Sequence, residues 1–149
     1  MKADFFKLIE SRTGGVFRCH APLSDRALES AALKALRVVP VRLTAARDKN
    51  AFLNTLAKAL QFPDYFGHNW DAFYDCLLGL EHGEDGTVLV LREASGFARA
   101  EPEDFAAAVD ALADAADYWK GEDKTLLAVV ELEAPALAPE LAEINCPAE

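Results

Sequence analysis

The chain has 149 residues, of which 52% are hydrophobic and 27% are charged, and its formal net charge is −10 at pH 7. This length and hydrophobic content suit one folded domain and exclude a disordered chain. The negative charge and the pI near 4.7 argue against direct binding to nucleic acid, because phosphate backbones are held by clusters of Lys and Arg. We therefore expect a basic partner.

The acidic residues are concentrated in one part of the chain. Residues 1–58 contain 11 Lys and Arg against 5 Asp and Glu, whereas residues 59–149 contain 4 against 20. Residues 59–91 contain no Lys or Arg at all. The acids in that stretch are Asp64, Asp71, Asp75, Glu81, Glu84 and Asp85. None of them has a counter-charge nearby in the sequence, so the stretch predicts a surface that repels itself and attracts cations.

The cysteines and the hydropathy pattern bear on the compartment. Cys19, Cys76 and Cys146 are odd in number and form no CxxC motif, so the sequence predicts neither a disulfide framework nor a thiolate metal site. No apolar stretch is long enough to span a bilayer, and the N-terminal residues lack the apolar region of a signal peptide. We expect a cytoplasmic protein that needs no cofactor and makes no membrane contact.

The N-terminal third of the chain predicts a helix, a strand and a second helix. The first helix is predicted over residues 24–36. Residues 38–43, with the sequence VVPVRL, predict a strand, and Pro40 places that strand near a sheet edge or at a strand start. Apolar residues at helical spacing then predict a helix over residues 49–60. The apolar residues of this second helix are Phe52, Leu53, Leu56 and Leu60.

A loop and a further helix follow. Residues 62–68 predict a loop, because proline disfavours helical geometry in the residue before it and Gly67 tolerates positive φ. Asn69 can cap a helix that we predict over residues 70–80. The acidic, glycine-bearing segment 82–86 then ends this helix.

The last part of the chain completes an alternating pattern. The apolar runs at residues 88–91 and 126–132 predict strands that are covered on both faces. A long amphipathic helix that reaches Trp119 is predicted between them, after Pro102. The order β-α-loop-α-β-α-β predicts a small, mainly parallel sheet with helices packed on it. The proline-rich tail, residues 133–149, is predicted as an appendage.

The helix at residues 70–80 has two different sides. At about 100° per residue, five apolar residues fall within roughly 120° and predict a buried stripe. They are Trp70, Phe73, Cys76, Leu77 and Leu80. The other side carries Asp71, Tyr74, Asp75 and Leu78. Because two carboxylates at positions i and i+4 repel each other, the second side contributes little to folding and predicts a binding surface.

Simpler explanations are open for several of these residues. Asp71 lies in the first turn, where an acid suits the helix dipole. Asp75 lies more than a turn further in, where that explanation fails, although it is also compatible with a plain solvated residue. Tyr65 and Tyr74 are compatible with packing at the rim of the core, and Cys76 suits a small core residue.

The residues of this loop and helix form a familiar pattern. Residues 62–80, with the sequence FPDYFGHNWDAFYDCLLGL, resemble the signature of the barstar family of ribonuclease inhibitors. Residues 51–61 resemble the first helix of that family, and the resemblance covers about residues 38–132. It implies an α/β fold of two or three layers, in which helices pack on a mainly parallel three-stranded sheet. Residues 1–37 would be an N-terminal extension packed on this core, and residues 133–149 a tail.

The resemblance also implies a function. In this family the helix and its preceding loop cover the active site of a ribonuclease and mimic the phosphates of RNA. The implied role is that of an inhibitor or immunity protein, which is not an enzyme, is a monomer when free and has a basic ribonuclease as its partner. Asp75 would enter the phosphate site of that enzyme, Asp71 would pair with a neighbouring cation, and Tyr65 would lie over a catalytic histidine. Further implied contacts are Gly67, Asn69, Trp70, Tyr74, Gly79 and Leu80, with Asp117 or Asp114 supplying an acid from the last helix.

The sequence departs from the family pattern at three positions of this surface. His68 stands where the family often has an acid, Trp70 replaces a smaller aliphatic residue, and Tyr74 replaces a tryptophan. These changes alter the shape of the surface, so the partner need not be the best-known enzyme of the family.

Two other functions are compatible with the sequence. An acidic adapter could keep the same fold and bind another basic protein. Alternatively, His68, Asp71 and Asp75, spaced at i, i+3 and i+7, could hold a divalent ion or act as an acid–base group. The enzyme hypothesis is the weaker of the two, because carboxylates on an exposed helix lack the burial by which enzymes tune paired acids. His68 is also more typical of a loop residue than of a base or a ligand.

Overall fold

The computed structural model describes residues 3–63 and 68–145, and its central feature is a six-stranded sheet. The strands are β1 (Ala3–Asp4), β2 (Gly15–Cys19), β3 (Leu36–Arg42), β4 (Gly86–Arg92), β5 (Thr125–Glu131) and β6 (Ala142–Asn145). Their spatial order is β1-β6-β2-β5-β4-β3, and every neighbouring pair is parallel. Parallel strands need crossover connections, which explains why helices separate most of the strands.

Four of the helices follow a residue whose side chain satisfies a free N–H group of the first turn. The helices are α1 (Phe5–Glu10), α2 (Asp25–Ala32), α3 (Lys49–Leu60), α4 (Trp70–Leu77), α5 (Ser95–Ala100) and α6 (Pro102–Gly121), followed by a 3-10 turn at Pro135–Leu137. The side chains of Asp4, Ser24, Asp48 and Asn69 each accept a hydrogen bond from a backbone N–H at the start of α1, α2, α3 and α4. By contrast, α6 begins with Pro102, which has no N–H to satisfy.

Two interior strands of the sheet, β4 and β5, are buried along nearly their whole length. Val88 and Val90 of β4 point into a core formed with α1 and α2, whereas Leu89 and Leu91 point into the larger core formed with α3, α4, α5 and α6. Successive side chains of a strand point to opposite faces. An unbroken apolar run is therefore the pattern that a strand between two helical layers requires, as the sequence predicts.

The predicted class of fold is confirmed, and so are the positions of its main elements. The predicted strands are β3, β4 and β5, which lie side by side, and Pro40 lies in the edge strand β3. The predicted helix at 49–60 is α3 without change. Two predicted helices are shorter than expected. The helix predicted over 24–36 spans Asp25–Ala32, and β3 already begins at Leu36. The helix predicted over 70–80 ends at Leu77.

The expectation of three strands is wrong, because both flanks of the chain join the sheet. The described N-terminal residues supply β2, which lies between β5 and β6. The tail, predicted as an appendage, supplies β6, which pairs with β1 and β2. The division into 1–37, 38–132 and 133–149 stays a prediction.

The bonding of the cysteines differs from the prediction, which is that their odd number indicates no disulfide framework. Cys19 at the end of β2 is disulfide-bonded, whereas Cys76 is a free thiol and Cys146 lies outside the described residues. An odd number of cysteines is compatible with one disulfide and one free thiol. Disulfides are rare in the reducing cytosol, so this bond does not support the cytoplasmic location, which stays a prediction. Within residues 3–63 and 68–145, no helix combines the length and the apolar character needed to cross a membrane.

Gly86 is the first residue of β4, and the conformation of its backbone requires glycine. Its φ is +147°, and a Cβ placed there would lie 2.0 Å from the backbone oxygen of Thr125. We expect Gly86→Ala to lower the free energy of unfolding by about 2 kcal/mol or more, from backbone strain and the clash with β5. Urea unfolding followed by circular dichroism measures this loss.

Gly121→Ala is the matched control. Gly121 ends α6, and a Cβ there meets nothing within 4 Å. We expect this variant to be as stable as the unchanged chain or up to about 1 kcal/mol more stable, since alanine favours helix. Equal unfolding midpoints for the two variants would show that Gly86 is not required.

Candidate functional site

Helix α4 is anchored from one side by aromatic packing. Phe73 and Leu77 are fully buried, and Phe73 packs edge-to-face against Phe52 of α3 with ring centroids 5.8 Å apart. Trp70 is half-buried and lies 5.8 Å from the same Phe52 ring. Leu80, just beyond the helix, is also buried. The predicted apolar stripe is thus confirmed in direction, with Trp70 and Cys76 half-buried and the other three side chains buried.

Two tryptophans tie α4 to the long helix α6. The indole N–H of Trp119 donates to the backbone oxygen of Leu77 at 2.9 Å, at the C-terminal end of α4. The indole N–H of Trp70 donates to the carboxylate of Asp104 at 3.3 Å. Asp104 and Trp119 are fifteen residues apart in the sequence, which places them on nearly the same side of α6. The spacing shows that the two residues share a side of α6, but it does not show which helix that side meets.

The opposite side of α4 presents two unpaired carboxylates to solvent. Asp71 and Asp75 are both exposed, and no hydrogen bond or ion pair joins either carboxylate to any residue within 3–63 or 68–145. Tyr74 and Leu78, on the same side, are half-buried. The predicted division of the helix into a core side and a solvent side is therefore confirmed for both aspartates.

Asp75 also borders a cavity of about 400 Å³ between the C-terminal ends of α3 and α4. The cavity is lined by Leu60, Gln61, Phe62, Pro63, Asp75, Cys76, Gly79, Leu80 and Glu81. The described walls are mostly apolar, and the carboxylates among these described residues are those of Asp75 and Glu81. Such a cavity can take a long side chain that has an apolar stem and a cationic end.

Cys76 lines the same cavity but has the properties of a packing residue. It is half-buried, and burial raises the pKa of its thiol, with a further upward contribution from the Asp75 carboxylate. The thiol is thus protonated at neutral pH, and a protonated thiol is a poor nucleophile. This agrees with its predicted role as a small residue of the apolar side.

The loop before α4 falls partly outside the described residues. Asp64, Tyr65 and Gly67, which the sequence analysis assigned to the acidic stretch or to the contact, lie in the segment that is not described. Asn69 caps α4, since its side-chain oxygen accepts the N–H of Ala72 at 2.8 Å. The predicted N-terminus of the helix is therefore confirmed.

His68 faces α3 and makes a contact there. One of its ring nitrogens lies 2.6 Å from the side-chain oxygen of Asn54. Across residues 3–63 and 68–145, no three His, Cys, Asp or Glu side chains are close enough together to share a metal ion. The predicted cluster of His68 with Asp71 and Asp75 is therefore not assembled among these residues.

The acidic residues beyond α4 differ in their surroundings. Asp85 forms an ion pair with Arg12 at 2.6 Å, which is a counter-charge from the far end of the sequence. The expectation that this aspartate waits for a foreign cation is therefore wrong, because the fold supplies one. Glu81 and Glu84 are exposed. Of these acids, Glu81 lies close to Asp75, since both line the same cavity.

Asp117 lies apart from this surface. It lines a separate cavity with Ser11, Arg12, Lys120 and Lys124, among other residues. On α6 it is about 200° away from Trp119, which faces α4. The structure therefore does not bring Asp117 to the Asp75 cavity, whereas Asp104 does contact α4. The role of Asp117 in partner binding stays a prediction.

A half-buried histidine supports the C-terminal end of α4. His82 hydrogen-bonds through Nδ1 to the hydroxyl of Thr87 at 2.8 Å, and its ring meets Trp119 edge-to-face with centroids 4.3 Å apart. Burial lowers the pKa of His82 to about 4, with further lowering by the charges of Lys124 and Arg37. His82 is therefore neutral at pH 7 and packs as an aromatic ring behind the tryptophan that holds Leu77.

The comparison with protein families agrees with this geometry. Residues 36–131 match the family described as Barstar (barnase inhibitor). The match spans more than half of the chain and runs from the start of β3 to the end of β5, so the chain belongs to the barstar family of barnase-type inhibitors. The chain matches no curated protein significantly. The matched residues leave out β1, β2 and β6, which lie on its flanks.

The depressed pKa of His82 makes stability depend on pH. As the pH falls below the ordinary value of 6.5, the unfolded chain binds a proton before the folded chain does, because the folded pKa is about 4. Stability contributed by neutral His82 is therefore complete above pH 6.5 and is lost as the pH falls towards 4. We expect the free energy of unfolding to fall less steeply in His82→Gln than in the unchanged chain.

Urea unfolding at a series of pH values between 7 and 4 measures this difference. Carboxylates that titrate in the same range are common to both proteins and cancel in the comparison. If the free energy of unfolding falls equally steeply with pH in the two proteins, the folded chain does not hold His82 in its neutral state.

Proposed function

We propose that the chain is an inhibitor, or immunity protein, of a basic ribonuclease, and that it blocks the enzyme by placing Asp75 among the cationic residues of the active site. The observation that carries the proposal is the pair of exposed carboxylates, Asp71 and Asp75, that lack any partner within the described residues. Membership of a family of barnase-type inhibitors supports the class of partner. The chain itself would turn over no substrate.

The packing of α4 supports this role because it presents the carboxylates on a rigid element. The helix is capped at Asn69, its apolar side is buried through Phe73 and Leu77, and its C-terminal end is held by Trp119. A rigid presentation lowers the entropy lost on binding. A carboxylate that enters a ring of Arg, Lys and His forms charge-assisted hydrogen bonds, which are among the strongest in proteins.

The cavity beside Asp75 supports the proposal in a second way. A cationic side chain of the enzyme can pass its apolar stem over Phe62 and Leu80 and bring its charge to Asp75 or Glu81. Gly79 lines this space, and a Cβ there would make only an ordinary contact, 3.7 Å from the Cys76 oxygen. The fold therefore does not require glycine at position 79, whereas close approach of a partner would.

Replacing Asp75 tests the proposal directly. We expect Asp75→Ala to weaken ribonuclease binding by about 2–5 kcal/mol, because it leaves the cations of the enzyme buried and unpaired. Folding should be unchanged or slightly more stable, since the variant removes repulsion with Asp71. The measurement is inhibition of RNA cleavage, titrated against a panel of basic secreted bacterial ribonucleases that includes barnase.

Asp110→Ala is the matched control. Asp110 is an exposed acid on α6, about 180° away from Trp119, and its removal changes the net charge by the same amount. We expect the control to inhibit as well as the unchanged chain. The proposal is wrong if no ribonuclease of the panel is inhibited, or if the two variants lose equal affinity.

The uneven charge of the chain predicts how the complex forms. Residues 59–149 carry 20 acids against 4 basic residues, so a basic enzyme should be steered towards them at low ionic strength. We expect the association rate with the inhibited ribonuclease to fall as salt is raised from about 20 mM to about 500 mM. The Asp71→Asn, Asp75→Asn double variant should show a shallower fall, measured by stopped-flow fluorescence.

The corresponding control replaces two acids on other surfaces, Asp110 and Asp25, by asparagine. It carries the same net charge as the double variant of α4. If both double variants respond equally to salt, overall charge rather than the α4 surface governs association, and the proposed orientation of the complex is contradicted.

A further inference from the structure

The carboxyl-terminal edge of the sheet contains a crevice that the proposed function does not use. Strands β2 and β5 are neighbours, but the chain leaves them towards opposite faces of the sheet. After β2 it enters α2, which packs in the core with α1, and after β5 it passes to Ala138 and Leu141 in the core with α3 to α6. In open parallel sheets, a crevice at such a switch point is the usual place for a ligand.

A cavity of about 570 Å³ lies at this point. It is lined by residues that follow four neighbouring strands: His20 after β2, Thr44 after β3, Ser95 after β4 and Glu133 after β5. This volume is in the range of small-molecule sites. His20 lies on the N-terminal side of the residues that match the family, and Glu133 lies on their C-terminal side, so both flanks contribute to the cavity.

Arginines are concentrated around this cavity. Four of the eight arginines of an otherwise acidic chain lie on this edge, namely Arg42, Arg47, Arg92 and Arg99. Three of them form ion pairs: Arg42 with Glu93, Arg92 with Glu131, and Arg99 with Glu133. Arg47 lines the cavity, and its guanidinium makes no hydrogen bond or ion pair with the described residues. A free guanidinium in a cavity is suited to a carboxylate or a phosphate.

Polar groups that suit a hydroxyl lie in the same cavity. The side chain of Glu131 is 8% exposed, and one of its oxygens accepts the N–H of Leu23 at 2.8 Å. Burial raises the pKa of this carboxyl, and its second oxygen accepts no hydrogen bond from the described residues. The Ser95 hydroxyl is 9% exposed and accepts the N–H of Glu133 at 2.9 Å, which leaves its own proton to donate. Glu93 beside them has a φ of +55°, a strained value that is common at ligand sites.

We propose that this cavity binds a small organic oxyanion that carries hydroxyl groups, with its phosphate or carboxylate on Arg47 and a hydroxyl on Glu131 and Ser95. The site lies at the other edge of the sheet from the Asp75 cavity, whose Glu81 backbone oxygen accepts from Arg37 at the amino end of β3. The two cavities share no lining residue. This proposal therefore does not depend on ribonuclease inhibition.

The test uses three probes on the full chain: ribose 5-phosphate, gluconate and neutral ribose. Binding is followed by backbone amide shifts in NMR titrations. We expect at least one of the two anions to bind and to shift the amides of residues 20–23, 93–96 and 131–133, while ribose alone binds at least about tenfold more weakly. A preference for ribose 5-phosphate identifies a phosphate ligand, and a preference for gluconate identifies a carboxylate ligand.

Arg47→Gln should weaken binding of the preferred anion by at least about tenfold. Folding should be unaffected, because Arg47 makes no hydrogen bond with the described residues. Arg26→Gln, at an exposed arginine of α2, is the control and should bind like the unchanged chain. Glu131→Gln keeps an acceptor for the Leu23 N–H and should reduce the preference for the hydroxyl-bearing anion over inorganic phosphate.

Three results would overturn the proposal: neither anion binds at 10 mM, Arg47→Gln and Arg26→Gln lose equal affinity, or the preferred anion binds no better than its counterpart without hydroxyl groups, which is inorganic phosphate for ribose 5-phosphate and acetate for gluconate. Ribonuclease inhibition by Arg47→Gln should be unchanged in every case, which separates failure of this proposal from failure of the function proposed for α4.

Discussion

Burial of Phe73 and Leu77 is the constraint on which the candidate site depends. These two side chains fix the rotation of α4 about its own axis, because both must stay in the core beside Phe52. With the rotation fixed, the geometry of a helix requires Asp71 and Asp75 to point away from the core. The orientation of the carboxylates thus follows from hydrophobic packing and needs no polar contact of their own.

The two outward-facing carboxylates of α4 differ from other acids of the chain in the charges around them. Two carboxylates one turn apart repel each other by a few tenths of a kcal/mol, and no hydrogen bond or ion pair with the described residues offsets that repulsion at Asp71 or Asp75. Asp85, in the same acidic stretch, is paired with Arg12 by the fold. The contrast separates an acid that the fold pairs with a cation from the two acids that we propose to meet a partner. At the far end of the strands the charges are mostly paired, since Arg42, Arg92 and Arg99 each form an ion pair with a glutamate.

Much of this could be predicted from local sequence, and the rest depends on contacts between distant residues. Unbroken apolar runs predict β4 and β5, and helical spacing predicts α3 without error, because burial on both faces or on one side leaves a direct pattern. Strand β2 is half-buried along most of its length, and β6 is four residues long in a proline-rich segment. Pairing with strands that are distant in the sequence, rather than local propensity, therefore defines both strands. The acids of α4 could be identified from their spacing. The contacts of Trp119 and the pairing of Asp85 could not be foreseen without knowing which helices and turns meet.

The central claim is that the Asp75 carboxylate meets a cation of the enzyme. A double-mutant cycle between Asp75 and each cationic active-site residue of the inhibited ribonuclease measures that contact most directly, with Asp110 as the reference position. We predict a coupling energy of at least about 1.5 kcal/mol for one or more of the Asp75 pairs and close to zero for every Asp110 pair. Coupling energies below about 0.5 kcal/mol for all Asp75 pairs would contradict the account.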